Sequence, residues 1–96
     1  MFKVVIHRRA ASYLKRLPNT QKYTQKYTQK ERLKKALSEL ARDPFRPGVK
    51  AMAGEWRGYY RLRIGDIRVI FWPDLKTKTI YVDYIGPRGD IYKTKT

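Results

Sequence analysis

The stretch YYRLRIGDIRVIF, residues 59–71, decides the fold. Two short β-branched and aromatic runs flank Gly65-Asp66, and a two-residue loop with glycine first is a tight hairpin turn. That loop pairs Ile64 with Ile67, Arg63 with Arg68, Leu62 with Val69, Arg61 with Ile70 and Tyr60 with Phe71. Paired residues share a face, and faces alternate along a strand. One face then carries Tyr60, Leu62, Ile64, Ile67, Val69 and Phe71, and belongs to a core. The other carries Tyr59, Arg61, Arg63, Arg68, Ile70 and Trp72. A slip of one residue would bury the arginines, so the register is pinned. Arg61, Arg63 and Arg68 are expected together on an exposed face, with Leu62, Ile64, Ile67 and Val69 turned toward helices.

Like charges opposed across a ladder cost roughly a few tenths of a kcal/mol. Solubility alone does not call for three cations with no acid among them. Beside Tyr59 and Trp72 they make a platform for phosphate and base.

Working outward, FKVVI (residues 2–6) is short, apolar and β-branched, and predicts a buried strand. Ala10, Tyr13, Leu14 and Leu17 recur at helical spacing, and Leu17-Pro18 ends that helix. Residues 19–43 hold neither Gly nor Pro. Leu33, Ala36, Leu37, Leu40 and Ala41 form an apolar stripe there. The pattern predicts a long second helix capped by Asn19 or Thr20 and closed at Asp43-Pro44. Its first half, QKYTQKYTQK (21–30), repeats KYTQ at a period of four, which places Tyr23 and Tyr27 on one side of an added helical turn. Residues 44–58 read as loop, and a last strand is expected over 79–85. The predicted class is α+β, with two helices packed on one face of a mostly antiparallel four-stranded sheet, in the order strand-helix-helix-strand-strand-strand.

The chain of 96 residues is expected to form a single domain, 1–96, too small for a deep cofactor chamber. Lys and Arg number 23 against 8 Asp and Glu, and the resulting +15 predicts attraction to polyanions. There is no cysteine, so thiolate chemistry and Cys-ligated metal are excluded. No segment reads as a signal peptide or membrane span, which makes a cytoplasmic protein with no membrane partner the expectation.

The helix ending in Leu17-Pro18, the helix ending near Asp43-Pro44, the run GEWRGYYRLRIGDIRVIF (54–71) and the closing IGPRGDIYK (85–93) together cover nearly the whole chain. This pattern resembles the RelE/ParE superfamily of toxin–antitoxin toxins, the RelE branch in particular. The resemblance implies a ribosome-dependent endoribonuclease that enters the A site and cuts mRNA there. It also implies a cognate acidic RelB-like antitoxin. The catalytic positions it implies are Arg61, Arg63 and Arg68 on the hairpin, Arg88 after the last strand, and Tyr92. Some members carry lysine where this chain has Arg61 and Arg63. The ParE branch shares the fold and poisons DNA gyrase, which gives one alternative; a catalytically weak RNA-binding relative is another.

RNA cleavage without metal uses the ribose 2′-OH as nucleophile, and needs a base, an acid and cations around the phosphate. Arginine grips phosphate bidentately but is a poor base. The four arginines are therefore expected to position substrate and stabilise charge. Tyr92 stacks or exchanges a proton. His7 has a suitable pKa but ends the first strand, away from the hairpin face. Asp66, Asp74 and Asp83 are dispersed, so no metal site and no cofactor are expected. Trp56 reads as packing, Trp72 as either packing or stacking, and Lys50 as a residue at the groove's border.

Overall fold

The computed structural model describes residues 1–17 and 28–87. Strand β1 (Lys3–Ile6) leads into helix α1 (Arg8–Arg16); helix α2 (Gln29–Arg42) follows, then strands β2 (Lys50–Ala51), β3 (Tyr60–Ile64), β4 (Ile67–Asp74) and β5 (Thr79–Pro87). The sheet runs in the order β1-β5-β4-β3-β2, with β1 parallel to β5 and every other neighbour antiparallel. It has five strands where four were expected. The fifth, β2, is a two-residue edge strand inside the segment read as loop, and Lys50 and Ala51 give no periodicity from which to read it.

The hairpin register is the expected one at every position: Tyr60 opposite Phe71, Arg61 opposite Ile70, Leu62 opposite Val69, Arg63 opposite Arg68 and Ile64 opposite Ile67. Gly65 takes φ +58 and Asp66 does not turn positive, the pattern of a type II′ turn, which suits the twist of the strands. Leu62, Ile67, Val69 and Phe71 lie on the core face and are at most 3% exposed. They pack with Ala10 of α1, with Leu33, Ala36, Leu37 and Leu40 of α2, and with Ile80, Val82 and Ile85 of β5. Both helices therefore sit on one face. No helix among the described residues is long and apolar enough to cross a membrane.

Strand β1 was expected to be buried and is not. It lies at the sheet edge, with Val4 and Ile6 half-buried against the core and Val5 38% exposed on the opposite face. A strand at the edge is covered on one side only.

Helix α2 begins later than expected. Thr28, at φ −69 and ψ 160, is its N-cap and interrupts any longer helix. The Thr28 hydroxyl accepts from the Glu31 N–H at 3.1 Å, while the Thr28 N–H donates to the Glu31 carboxylate at 2.9 Å. This is a capping box. The repeat offers the same threonine at 20, 24 and 28, but only Thr28 has Glu three residues on; Thr20 and Thr24 have Tyr23 and Tyr27 there. That signal was present in the sequence. Asn19, Thr20, Tyr23 and Tyr27 lie outside the described residues.

The bonds from the Thr28 backbone N–H and hydroxyl hold the Glu31 carboxyl below its ordinary pKa. The box is therefore intact at neutral pH and is lost as pH falls through that lowered value. Thr28→Ala should cost about 1 kcal/mol. A chemical-denaturation midpoint unchanged from the parent would count against the cap.

Candidate functional site

The sheet face turned away from the helices carries the charge. Arg61 stands opposite Lys50 on β2 and Ile70 on β4, so Lys50 and Arg61 share a row. Arg63, Arg68 and Gly86 form the next row. Two residues along a strand span about 6.8 Å, which sets the spacing between the rows. Gly48, Lys50, Arg61 and Arg63 line a small cleft of about 60 Å³. Lys50, Arg61 and Arg63 make no hydrogen bond or ion pair among the described residues. They are cations held side by side with their valences unspent. Lys50, read from sequence as a border residue, is a full member of this row.

Arg68 corrects an expectation. It lies on the predicted face, but it is only 4% exposed. A side chain at Gly86, its cross-strand neighbour, would meet the Tyr84 hydroxyl at 2.5 Å, so the Tyr84 phenol lies folded over Gly86 and fills the space beside Arg68. A pattern of alternating faces cannot report a neighbour that leans along its own strand. Of the five positions expected in the site, Arg61 and Arg63 stand together in the open, and Arg68 stands with them but is covered. Arg88 and Tyr92 lie outside the described residues.

The centre of this face is closed by apolar groups. Ile70 is fully buried beneath Tyr84, Met52, Trp56 and Tyr59. Trp56 meets Tyr59 edge-on, with ring centroids 5.2 Å apart, as the packing role expected of it requires. A 3₁₀ turn at Gly54–Trp56 brings it there, and the Met52 N–H to Tyr59 carbonyl bond of 2.9 Å ties that loop to β3. Beyond this cluster Trp72 stacks on Tyr81, with centroids 4.8 Å apart and planes 21° apart.

Strand β5 contains a bulge. Ile70 faces Tyr84, but Phe71 faces Val82, so Asp83 is the extra residue. Its carboxylate Oδ2 accepts from the Tyr59 hydroxyl at 2.9 Å. Burial first, and then the bond and charge of Asp83, raise the Tyr59 pKa, so this phenol keeps its proton and is no base at neutral pH.

His7 caps α1, its Nδ1 accepting from the Arg9 N–H at 3.2 Å. It belongs to the β1 edge, three strand spacings from β3, or about 14 Å. Asp74 accepts from the N–H groups of Lys76 and Thr77 in the β4–β5 turn. Among the described residues no three of His, Cys, Asp and Glu converge on a metal position. On the far side of Arg63, a groove of about 380 Å³ is lined by Arg32, Lys35, Glu39 and Arg46, so positive charge continues onto α2.

Several known proteins share this architecture. The sequence profile of the ParE toxin of type II toxin–antitoxin systems, parDE, matches residues 4–92. Comparison with curated proteins finds no match. Among solved structures, the archaeal RelE–RelB complex from Pyrococcus horikoshii is 28% identical, with 92% of this chain and 96% of that chain covered and a TM-score of 0.72. The isolated Escherichia coli RelE toxin is 18% identical over 98% of this chain and 94% of its own, with a TM-score of 0.70. The YoeB/ParE toxin from Agrobacterium tumefaciens is 16% identical over 91% of this chain and 99% of its own, with a TM-score of 0.73. These last two likenesses are of fold alone. The profile match spans nearly the whole chain and carries the family assignment: the chain belongs to the ParE toxin family of type II toxin–antitoxin systems, within the RelE/ParE superfamily.

Proposed function

We propose that the chain is a ribosome-dependent, metal-independent endoribonuclease that cleaves mRNA in the A site by attack of a ribose 2′-OH on the adjacent phosphate. One observation carries this reading: Lys50, Arg61 and Arg63 share an open row with no acid and no partner among the described residues. Cations so placed repel one another until an anion arrives.

In the reaction the bond from the 2′-oxygen to phosphorus forms and the bond from phosphorus to the 5′-oxygen breaks. A base takes the 2′-proton, an acid protonates the leaving oxygen, and the pentavalent phosphate gathers negative charge. Arg61 and Arg63 grip its oxygens through their planar forks, and Lys50 adds a point charge from the facing strand. Arg68, covered and adjacent, adds its field from below. Arg88 and Tyr92 complete the set on the strength of the resemblance, with Tyr92 as proton-transfer group or stacking ring. The ribosome supplies the substrate geometry that so sparse a set of proton-transfer groups does not.

The partner that silences this surface is an acidic RelB-like antitoxin, in line with the RelE–RelB complex that is 28% identical and with the net charge of +15. The ParE profile favours a second reading, inhibition of DNA gyrase.

One assay separates the two. Purified toxin is added to translating ribosomes carrying a defined mRNA, and separately to gyrase with supercoiled DNA. The ribonuclease reading requires new mRNA ends bearing a 2′,3′-cyclic or 3′-phosphate. Intact mRNA together with DNA trapped in a cleaved gyrase complex would transfer the assignment to gyrase. Neither outcome, with RNA binding that falls steeply with salt, would make the protein a catalytically weak RNA-binding relative.

A further inference from the structure

The β5 bulge changes which residues the sheet shows to the substrate. In a regular strand Tyr81, Asp83 and Ile85 would share one face, and Val82 and Tyr84 the other. Here Val82 is fully buried and Ile85 is 3% exposed, both in the core, so Tyr81, Asp83, Tyr84 and Gly86 all fall on the open face. Bulges re-aim side chains in this way, and they are common beside functional sites. The residue re-aimed is a carboxylate, set on a face whose other charges are cations.

Asp83 is half-buried, and its carboxylate is held rather than neutralised. The Tyr59 hydroxyl donates to Oδ2 at 2.9 Å, and Arg9 Nε donates to the Asp83 backbone carbonyl at 3.4 Å. Neither bond engages Oδ1, and no cation pairs with the carboxylate among the described residues. A carboxylate has about four lone-pair positions, so most of its accepting capacity is left. Tyr81 lies two residues back along the same strand, about 6.8 Å away, with its ring stacked on Trp72. Arg61 lies two strands across, about 9.6 Å. A nucleotide whose phosphate rests on Arg61 and Arg63 can therefore lay its base toward the aromatic pair.

We propose that Asp83 and the stacked Trp72–Tyr81 pair form a nucleobase subsite that selects guanine beside the scissile phosphate. The proposal rests on the ribonuclease reading above and names the base which that site prefers. Guanine presents two adjacent donors, N1–H and the N2 amino group, to a carboxylate that can only accept. Adenine and cytosine each offer one amino donor beside an acceptor nitrogen that repels the carboxylate. Uracil offers one N–H between two carbonyls. The purine ring also gives the larger stacking surface for the aromatic pair. The Tyr59 phenol, which keeps its proton, fixes the carboxylate so that Oδ1 meets the base.

Asp83→Asn tests this. Its amide oxygen still accepts from Tyr59, so a merely structural Asp83 would leave base preference untouched. Cut positions are mapped on ribosome-bound mRNAs that differ only in the nucleotides flanking the cleaved bond. In parallel, binding of uncleavable 2′-deoxy tetranucleotides differing in one base is measured for both proteins. Wild type should favour guanine over each other base by about tenfold or more, the discrimination a bidentate contact supplies, and Asp83→Asn should lose that preference while still cleaving. Cleavage by wild type without guanine preference, or with a preference unchanged in Asp83→Asn, overturns the subsite and leaves the ribonuclease standing. No cleavage, but guanine-selective binding abolished by Asp83→Asn, overturns the ribonuclease and leaves the subsite. Equal binding of all four bases without cleavage removes both.

Discussion

Arg61→Ala should slow mRNA cleavage by about 10²–10³-fold, the effect of removing one preorganised charge-stabilising group from a reaction of this kind. The fold should survive. The Arg61 side chain stands on the open face, opposite Lys50 and Ile70, and makes no hydrogen bond or ion pair among the described residues. Its removal relieves a like-charge contact with Lys50 and leaves the core, built on Leu62 behind it, untouched. Stability should therefore hold or rise by roughly a few tenths of a kcal/mol. Arg61→Lys separates charge from geometry: it keeps the cation but loses the fork, and should fall between parent and alanine variant. Single-turnover cleavage on ribosome-bound mRNA, with a denaturation curve for each protein, reads both quantities. Wild-type cleavage by Arg61→Ala would show that this row is not the phosphate site.

The hairpin was legible in the sequence to the residue because two constraints agreed there. Gly65-Asp66 fixed the loop, and the arginines forbade a slip, since the alternative register would have buried three charges in the core. The helices were legible through their stripes. What was not legible depended on contacts between segments. Arg68 satisfies the alternation as Arg63 does, yet one is covered and the other exposed, and the difference lies in how the Tyr84 phenol leans over Gly86. The bulge at Asp83 escaped for a related reason. TIYVDYIGP, residues 79–87, has apolar or aromatic residues at both parities, so either phase fits a buried face until Ile85 and Tyr84 compete for the core. Edge strand β2 exists because β3 offers it hydrogen-bonding partners, not because Lys50 and Ala51 favour extension. Position Lys50 could have been read only after that pairing was known.

The largest effect on stability should come from Phe71→Ala. Phe71 is fully buried on β4, facing Tyr60 on one side and Val82 on the other. Its ring stacks on Tyr60 with centroids 6.1 Å apart, and Tyr60 in turn meets Phe45 edge-on at 5.3 Å. The three rings join the middle of the sheet to the segment that follows α2. Truncation removes the transfer energy of the ring and leaves a cavity walled by two strands and both helices, which cannot close without moving the sheet. The expected cost is about 3–5 kcal/mol. Total stability for a domain of this kind is about 5–15 kcal/mol, so the variant should be partly unfolded at temperatures where the parent is intact. Phe71 projects to the opposite face from Arg61 and Arg63, so the molecules that remain folded should cleave at the parental rate. Activity normalised to the folded fraction, taken from a urea titration at low temperature, separates this loss from the kinetic loss in Arg61→Ala. A cost below about 1 kcal/mol would mean that the site collapses easily. The ring stack would then be an ornament on the core rather than the link between its halves.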